Sequence, residues 1–532
     1  MVEKKGNKLL EGTMILATAA LTSKFLGFFY KVVLARLIED SGLGIYEKVY
    51  PIYVTILTVS IVGVPVAISK LVSEKKALDK DKLADYIFKI ALNFSFIFGL
   101  VTTILLIIFA RPLAEYVIDD PDTYYSILAI APAVFIVSVM ASFRGYFQGQ
   151  QRMVPTAISQ VIEQFVRIVT LLILAYLLLP FGIEFAAAGA ASGAFFGAVA
   201  GLMVLYFVYF KKEKFKFKIE ADNNDFPEVK EVLRQIFNLA LPISIGGLVL
   251  PVMRLIDMLL ISRRLQVAGF SLGEATALFG QFNGMAMTLV RFPTVIAASL
   301  AVSLVPAISE ANELEADALV NSRIAKAFKL IAIISIPAAA GLFILAEPLC
   351  RLIFGNAQAA LPLRYLSVGV IAVSLQQMTS SILQGFNKPK LPAINLFFGA
   401  LVNVILNYTL TAIPSLNIRG AAIATVLGFS VAAILNVYHV FKLANPKLEY
   451  SNLIYKPLFA TGIMTALVYY THRILLGLNF DILALIFSVL AGIIIYFIVL
   501  LLSRAVTKKD LSTLPVVGEK LVFILNKLGL VK

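Results

Sequence analysis

The chain has 532 residues, 60% hydrophobic and 15% charged, with a mean hydropathy of +0.89; a soluble globular protein carries about 25% charged residues, so that class is excluded. The single Cys350 excludes an internal disulfide, and His439 and His472 are too few to complete a zinc cluster with it. No Gly-Lys dipeptide occurs, which excludes a P-loop and ATP hydrolysis by that route, while the net charge of +14 is explained first by membrane topology rather than by nucleic acid.

The start, "MVEKKGNKLLEG", is basic and leads into an apolar run without a small-residue cleavage site, which predicts an uncleaved first span. Apolar stretches long enough to cross about 30 Å of hydrocarbon follow near 9–37, 45–70, 83–110, 124–147, 155–180, 184–210, 236–262, 274–308, 323–346, 363–385, 391–413, 417–442, 453–476 and 480–503. The expected fold is an all-α polytopic membrane protein with fourteen transmembrane helices.

The gaps "SKLVSEKKALDKDK" (69–82), "RGYFQGQQRM" (144–153), "KKEKFKFK" (211–218), "NKPK" (387–390) and "KLANPK" (442–447) are basic, whereas "EDSGLG" (39–44) and "DDPD" (119–122) are acidic. Basic loops stay inside, so both termini are expected in the cytoplasm. The 211–218 segment either rests on anionic lipid or serves only as a topology anchor. Past the last span, Leu514, Val517, Leu521, Ile524 and Leu528 share one helical face, the pattern of an interfacial amphipathic tail over 509–532.

Basic residues inside the spans carry the functional signal. Lys89 is near a span end and can snorkel. Lys24, Lys31, Arg167, Arg254 and Arg291 lie deeper, and a mid-span cation facing lipid costs about 2.5–3.5 kcal/mol on the insertion scale. Glu163 is four residues before Arg167 and Asp257 three after Arg254, spacings that allow pairing on one helix. Such pairs are either structural or part of a cavity. Lys24 and Arg291 have no acid within reach on their own helix, so a cavity lined by these residues is cationic.

An internal echo organises the chain. Gln148-Gly149 recurs as Gln384-Gly385 and "FARPL" (109–113) as "LAEPL" (345–349), both at an offset of 236, with Pro155 seven residues after the first Gln and Pro392 eight after the second. "VPVAIS" (64–69) resembles "VPAIS" (305–309), and Arg36-Leu37 resembles Arg264-Leu265. Their common order predicts two parallel six-span lobes, 1–220 and 221–446, with an appended span pair at 447–508. Transporters built in this way place the substrate between the lobes and expose it alternately to either side. Arg36 and Arg264, repeat-related exceptions to the charge bias, are candidates for the outer mouth.

"RGYFQGQQRMVPTAISQVIEQFVR" (144–167) resembles the signature of the stage V sporulation protein B-like proteins. These belong to the polysaccharide and lipid II flippase branch of the multidrug/oligosaccharidyl-lipid/polysaccharide exporter superfamily. "TSKFLGFFYKVVLAR" (22–36) is similar to the first span of lipid II flippases and "FPTVIAASLAVSLVPAIS" (292–309) to their eighth. The resemblance implies a non-enzymatic, monomeric flippase for an undecaprenyl-pyrophosphate-linked saccharide, with Lys24, Lys31, Arg144, Arg167, Arg254 and Arg291 as headgroup-binding candidates. Lys24 falls on a family arginine position, but Tyr30 replaces the next family arginine, and Arg291 stands about one turn after another. These departures widen the expected substrate from lipid II to a lipid-linked anionic glycan.

Some relatives hold sodium, which makes Asp257, Asn403 and Asn407, with Glu163, candidates for coupling to Na+ or H+. Asn407 stands where the pattern has a second carboxylate, so the two amides read equally as helix-packing groups. No other cofactor and no nucleic acid is expected. The alternative function is a cation-coupled multidrug exporter, which calls for surplus acids inside the membrane; the surplus here is basic.

Overall fold

The computed structural model describes residues 26–61, 63–212, 226–477 and 481–505, with isolated positions between 16 and 23. Among the described residues the regular structure is entirely helical, with no strand. Among the described residues eleven helices are long and apolar enough to cross a membrane, or up to thirteen if each of two bent pairs is one span. The first expected span lies partly outside the described residues, and the basic segment 213–218 and the amphipathic tail lie outside them.

The surface and interior show why this sequence suits lipid. Ile97, Ile108, Phe165, Phe207 and Ile494 point outward, while Ser95, Ser142, Thr156, Asn395, Asn403 and Asn436 are buried between helices. Hydrocarbon gives no hydrophobic drive for helix association, so small and polar residues hold the bundle together.

Residues 1–266 and 270–280 pack as one unit, and residues 267–269 with 281–532 as a second. The first unit contains α1 (Glu39–Ile61), α2 (Gly63–Ala77), α3 (Asp81–Ile108), α4 (Tyr124–Gly149), α5 (Met153–Leu178), α6 (Ile183–Lys212), α7 (Val229–Gly247), most of α8 (Val249–Val267) and α9 (Leu272–Phe279). The second contains α10 (Met287–Glu313), α11 (Asp317–Ile344), α12 (Ala346–Phe354), α13 (Ala360–Ser367), α14 (Gly369–Gly385), α15 (Lys390–Leu410), α16 (Ile418–Ala444), α17 (Lys456–Leu476) and α18 (Asp481–Leu502). The lobe boundary is expected at 220/221, whereas α7 packs with α2 in the first unit.

Two spans expected to be unbroken are bent. The pair α7 and α8 turns by 46°, as does the pair α13 and α14. Gly246-Gly247 sits at the first break, with Pro242 just before it, and Ser367 and Gly369 flank the second. Paired glycine and serine residues are ordinary causes of sharp kinks.

The sequence echoes acquire a packing reason. A Cβ on Gly145 would lie 2.8 Å from the Pro65 carbonyl oxygen, and one on Gly149 the same distance from that of Ser69. In the second unit, a Cβ on Gly385 would come within 2.7 Å of Ile308 Cβ. Each "VP-AIS" helix therefore receives a glycine from the end of the helix that carries Gln-Gly. The other echo falls on two broken ends: α3 stops just before Arg111-Pro112, and α11 stops just before Glu347-Pro348.

Candidate functional site

The site in the first unit is built on a helix pair with almost no separation. Gly189, Gly193, Gly197 and Gly201 recur at every fourth residue of α6 and face α5. A Cβ on Gly193 would lie 2.8 Å from the Arg167 carbonyl oxygen, and one on Gly197 would be 2.6 Å from the Glu163 carbonyl oxygen and 2.7 Å from Arg167 Cβ. This glycine ridge lets the two backbones touch, the small-xxx-small solution to packing in lipid. It also fixes the positions of Glu163 and Arg167 along α5.

Glu163 does not pair with Arg167, contrary to the spacing-based expectation. Arg144, from α4, places Nη2 2.7 Å from Glu163 Oε2 and donates from Nε and Nη2 to Ser159 Oγ. A guanidinium approaching from a neighbouring helix satisfies a carboxylate and a hydroxyl together, through a charge-assisted hydrogen bond that one helix face alone does not offer. Arg167 instead lies over the Tyr50 ring, 5.5 Å from its centroid. Its Nη2 is buried without a hydrogen-bond partner.

Tyr30, Tyr46, Tyr50 and Tyr53 form the aromatic surroundings of Arg167. Tyr46 stacks on Tyr50, and Tyr30, Tyr46 and Tyr53 are themselves buried. Lys31 makes an ion pair with Glu47 on α1. Two of the three cations named here, Arg144 and Lys31, are thus neutralised by carboxylates. Arg167 has no carboxylate partner among the described residues. Its charge is stabilised by the Tyr50 ring face, an interaction worth about 2 kcal/mol when desolvated, and it retains the capacity to donate to an anion.

The family models cover most of the chain. A model described as polysaccharide biosynthesis protein matches residues 9–312, and one described as MatE matches residues 242–409. The chain belongs to the polysaccharide biosynthesis protein family. Within it, stage V sporulation protein B of Bacillus subtilis (strain 168) is 32% identical over 518 residues, covering 96% of this chain and 99% of the relative. A protein named lipid II flippase MurJ from the same organism is 27% identical over 456 residues, covering 82% and 83% respectively. A solved structure titled "Lipid II flippase MurJ, inward closed conformation" matches with a TM-score of 0.68 at 18% identity, covering 91% of this chain and 98% of that one. These place the family member in the flippase branch of the superfamily and identify it as a multi-pass membrane protein.

The remaining candidates of this polysaccharide biosynthesis family chain are dispersed. Lys24 lies outside the described residues. Arg254 is exposed on α8 and makes no ion pair among the described residues, so the expected Arg254–Asp257 pair does not form; Asp257 is half-buried. Arg291 is half-buried on α10, two residues before Pro293. Arg36 is exposed and Arg264 half-buried.

Asn403 and Asn407 are fully buried on α15. A Cβ on Gly428 of α16 would fall 2.8 Å from Asn403 Cβ, and Asn407 Oδ1 accepts from the Thr411 hydroxyl at 2.6 Å. Both amides are therefore parts of a tight helix interface. Among the described residues no group of three or more His, Cys, Asp or Glu side chains can hold a metal ion.

Three features escaped the sequence reading. The spacing "GAASGAFFGAVAG" was visible but has meaning only once α5 is known to lie against it. Lys48 sits at the edge of an expected span, where its burial could not be inferred. In the second unit, Asn395, Asn436, Ser380 and Gln376 form a hydrogen-bonded chain across α14, α15 and α16, with His439 Nδ1 near Asn395. Here the partners come from different helices.

Proposed function

We propose that this chain is a flippase that carries a lipid-linked anionic saccharide across the bacterial plasma membrane, from the inner to the outer leaflet, by alternating access. The observation that carries the reading is Arg167: a guanidinium deep in a membrane protein, with a buried Nη2 that lacks a hydrogen-bond partner, lying over the ring of Tyr50. A cation in such surroundings is costly unless it serves a ligand. A pyrophosphate offers several acceptor oxygens for a guanidinium, and the contact strengthens at low dielectric. The headgroup candidates are Arg167 and Arg144, with Lys31 beside them, and the undecaprenyl-pyrophosphate carrier follows the relative named as a lipid II flippase.

Movement needs no ATP. An inside-negative potential favours outward transfer of the anionic headgroup, at about 2.3 kcal/mol per unit charge per 100 mV. The relatives named as flippases are transporters, which favours a non-enzymatic role here. The second reading, a multidrug exporter, has the MatE match over 242–409 in its favour. It fits the charge pattern less well, because Glu47 and Glu163 are each held by a cation.

The deciding experiment is a flipping assay in proteoliposomes with an undecaprenyl-pyrophosphate-linked saccharide, with and without an imposed potential. Potential-stimulated flipping that is lost in Arg167→Gln supports the reading. Transport of an organic cation with no movement of the lipid would replace it by the second.

A further inference from the structure

A second charged site lies at the end of the first unit that carries the acidic turns, away from Arg167 in sequence and chemistry. Lys48 of α1 is fully buried, with 0% of its side chain exposed, and its Nζ lies 2.6 Å from Oδ2 of Asp120, itself 2% exposed. The same Nζ donates to Thr276 Oγ1 of α9 at 2.7 Å, and that hydroxyl stands 2.9 Å from both Asp120 Oδ2 and the Leu272 carbonyl oxygen. Asp119, at φ 61°, ends the preceding helical turn; the Asp120 amide then donates to the Ala114 carbonyl, and Asp120 Oδ1 accepts from the Asp122 amide. The carboxylate is held on a rigid turn.

The backbones around this triad interlock. A Cβ on Gly44 of α1 would come 2.1 Å from the Thr276 carbonyl oxygen. Reciprocally, a Cβ on Gly280, just past α9, would come 2.0 Å from the carbonyl oxygen of Asp40. Each segment uses a glycine where the other's carbonyl arrives. The contact is a fitted closure between 39–48 and 276–280.

The division of labour within the triad matters most. Lys48 and Asp120 both belong to the segment before residue 124, and they neutralise each other. Only a neutral hydroxyl comes from α9. Removing one partner of a buried ion pair is strongly unfavourable, whereas a hydroxyl can leave such a pair without stranding a charge.

We propose that Lys48, Asp120 and Thr276 form a releasable latch that holds α9 against α1 at this end of the first unit, opening by loss of the Thr276 contacts while the ion pair stays intact. The latch rests on the transporter reading above, and by the charge distribution it lies on the outer side.

The test uses the full chain in proteoliposomes, with Cys350→Ala removing the native thiol and Ala275→Cys as reporter, since Ala275 is fully buried on α9. The probe is a membrane-impermeant maleimide. Thr276→Val keeps the side-chain shape and is expected to raise the labelling rate about tenfold, the worth of a net hydrogen bond or two. Lys48→Met strands Asp120, so opening re-solvates a lone charge, and labelling should rise further. The double variant Lys48→Met/Asp120→Leu removes the groups that Thr276 contacts without stranding a charge, and should label faster than the parent but more slowly than Lys48→Met.

A double variant that labels more slowly than Lys48→Met alone is the signature of a latch. Unchanged labelling in Thr276→Val and Lys48→Met, or a double variant that opens as Lys48→Met does, overturns the proposal. If labelling follows the predicted order while no lipid-linked saccharide moves, the latch stands and the flippase reading falls.

Discussion

Arg144 Nη2 stands 2.7 Å from Glu163 Oε2, so the carboxylate expected to neutralise Arg167 is bound by an arginine from another helix. The pair is partly open, at 17% and 20% side-chain exposure, so its loss should cost less than the 3–5 kcal/mol of a fully buried pair. Glu163→Gln leaves Arg144 without its counter-charge, and a fall in Tm by several degrees in detergent is expected. Arg144→Gln should do the same, and the double variant should be less destabilised than the sum of the two. Additive losses would show that the two residues do not act as a pair.

Gly197 is the position where α6 comes nearest to that pair. Alanine there brings a Cβ to 2.6 Å from the Glu163 carbonyl oxygen and 2.7 Å from Arg167 Cβ. Backbone atoms cannot yield as a flexible side chain would, so overpacking of about 1–3 kcal/mol is expected. Gly197→Ala should lower Tm and also reduce flipping, because the shift displaces Arg167. Gly462→Ala, at a glycine inside α17 with no atom within 4 Å of the added carbon, is the control that should leave the fold intact. A Tm change equal in both would remove the ridge argument.

Much of the fold was legible because hydrocarbon imposes simple rules: apolar length marks a span, and the echoes "VPVAIS" and "VPAIS" mark corresponding helices. Pairing was less legible. Glu163 and Arg167 share a helical face, and sequence spacing sees only that face; Arg144 reaches Glu163 through the packing of α4, α5 and α6, which depends on four glycines acting together. The same holds for Asp257, whose neighbour Arg254 is exposed, and for Lys48, whose partners are 72 and 228 residues away. The two readings left open for Asn403 and Asn407 differ in chemistry but require the same burial, so burial on α15 does not choose between them.

Cys350 gives a pH-dependent prediction. Burial on α12 pushes its thiol up to about 12 from an ordinary value of 9.0. Below pH 9 the thiol is protonated whether the chain is folded or not, so it contributes no pH dependence. Between pH 9 and about 12 the unfolded chain releases a proton that the folded chain retains, and stability falls as pH rises. The native protein should resist maleimide at pH 8 and react once unfolded. Cys350→Ala should flatten the alkaline decline of Tm; an identical decline in both would assign it to other groups.

Arg167 separates a structural cation from a ligand-binding one. Its ring contact with Tyr50 is satisfied by any flat or compact cation, whereas the unpartnered Nη2 is specific to a guanidinium. Arg167→Lys keeps the charge but loses the fork that binds two phosphate oxygens at once. It should retain expression and Tm while flipping falls about tenfold, the worth of roughly 1.4 kcal/mol in a charge-assisted hydrogen bond. Arg167→Gln removes the charge as well and should abolish the response to an imposed potential. The check is the flipping rate of both variants at matched protein level. Full activity in Arg167→Lys would make the guanidinium a filler of the tyrosine cluster and would move the headgroup contact to Arg144 and Lys31.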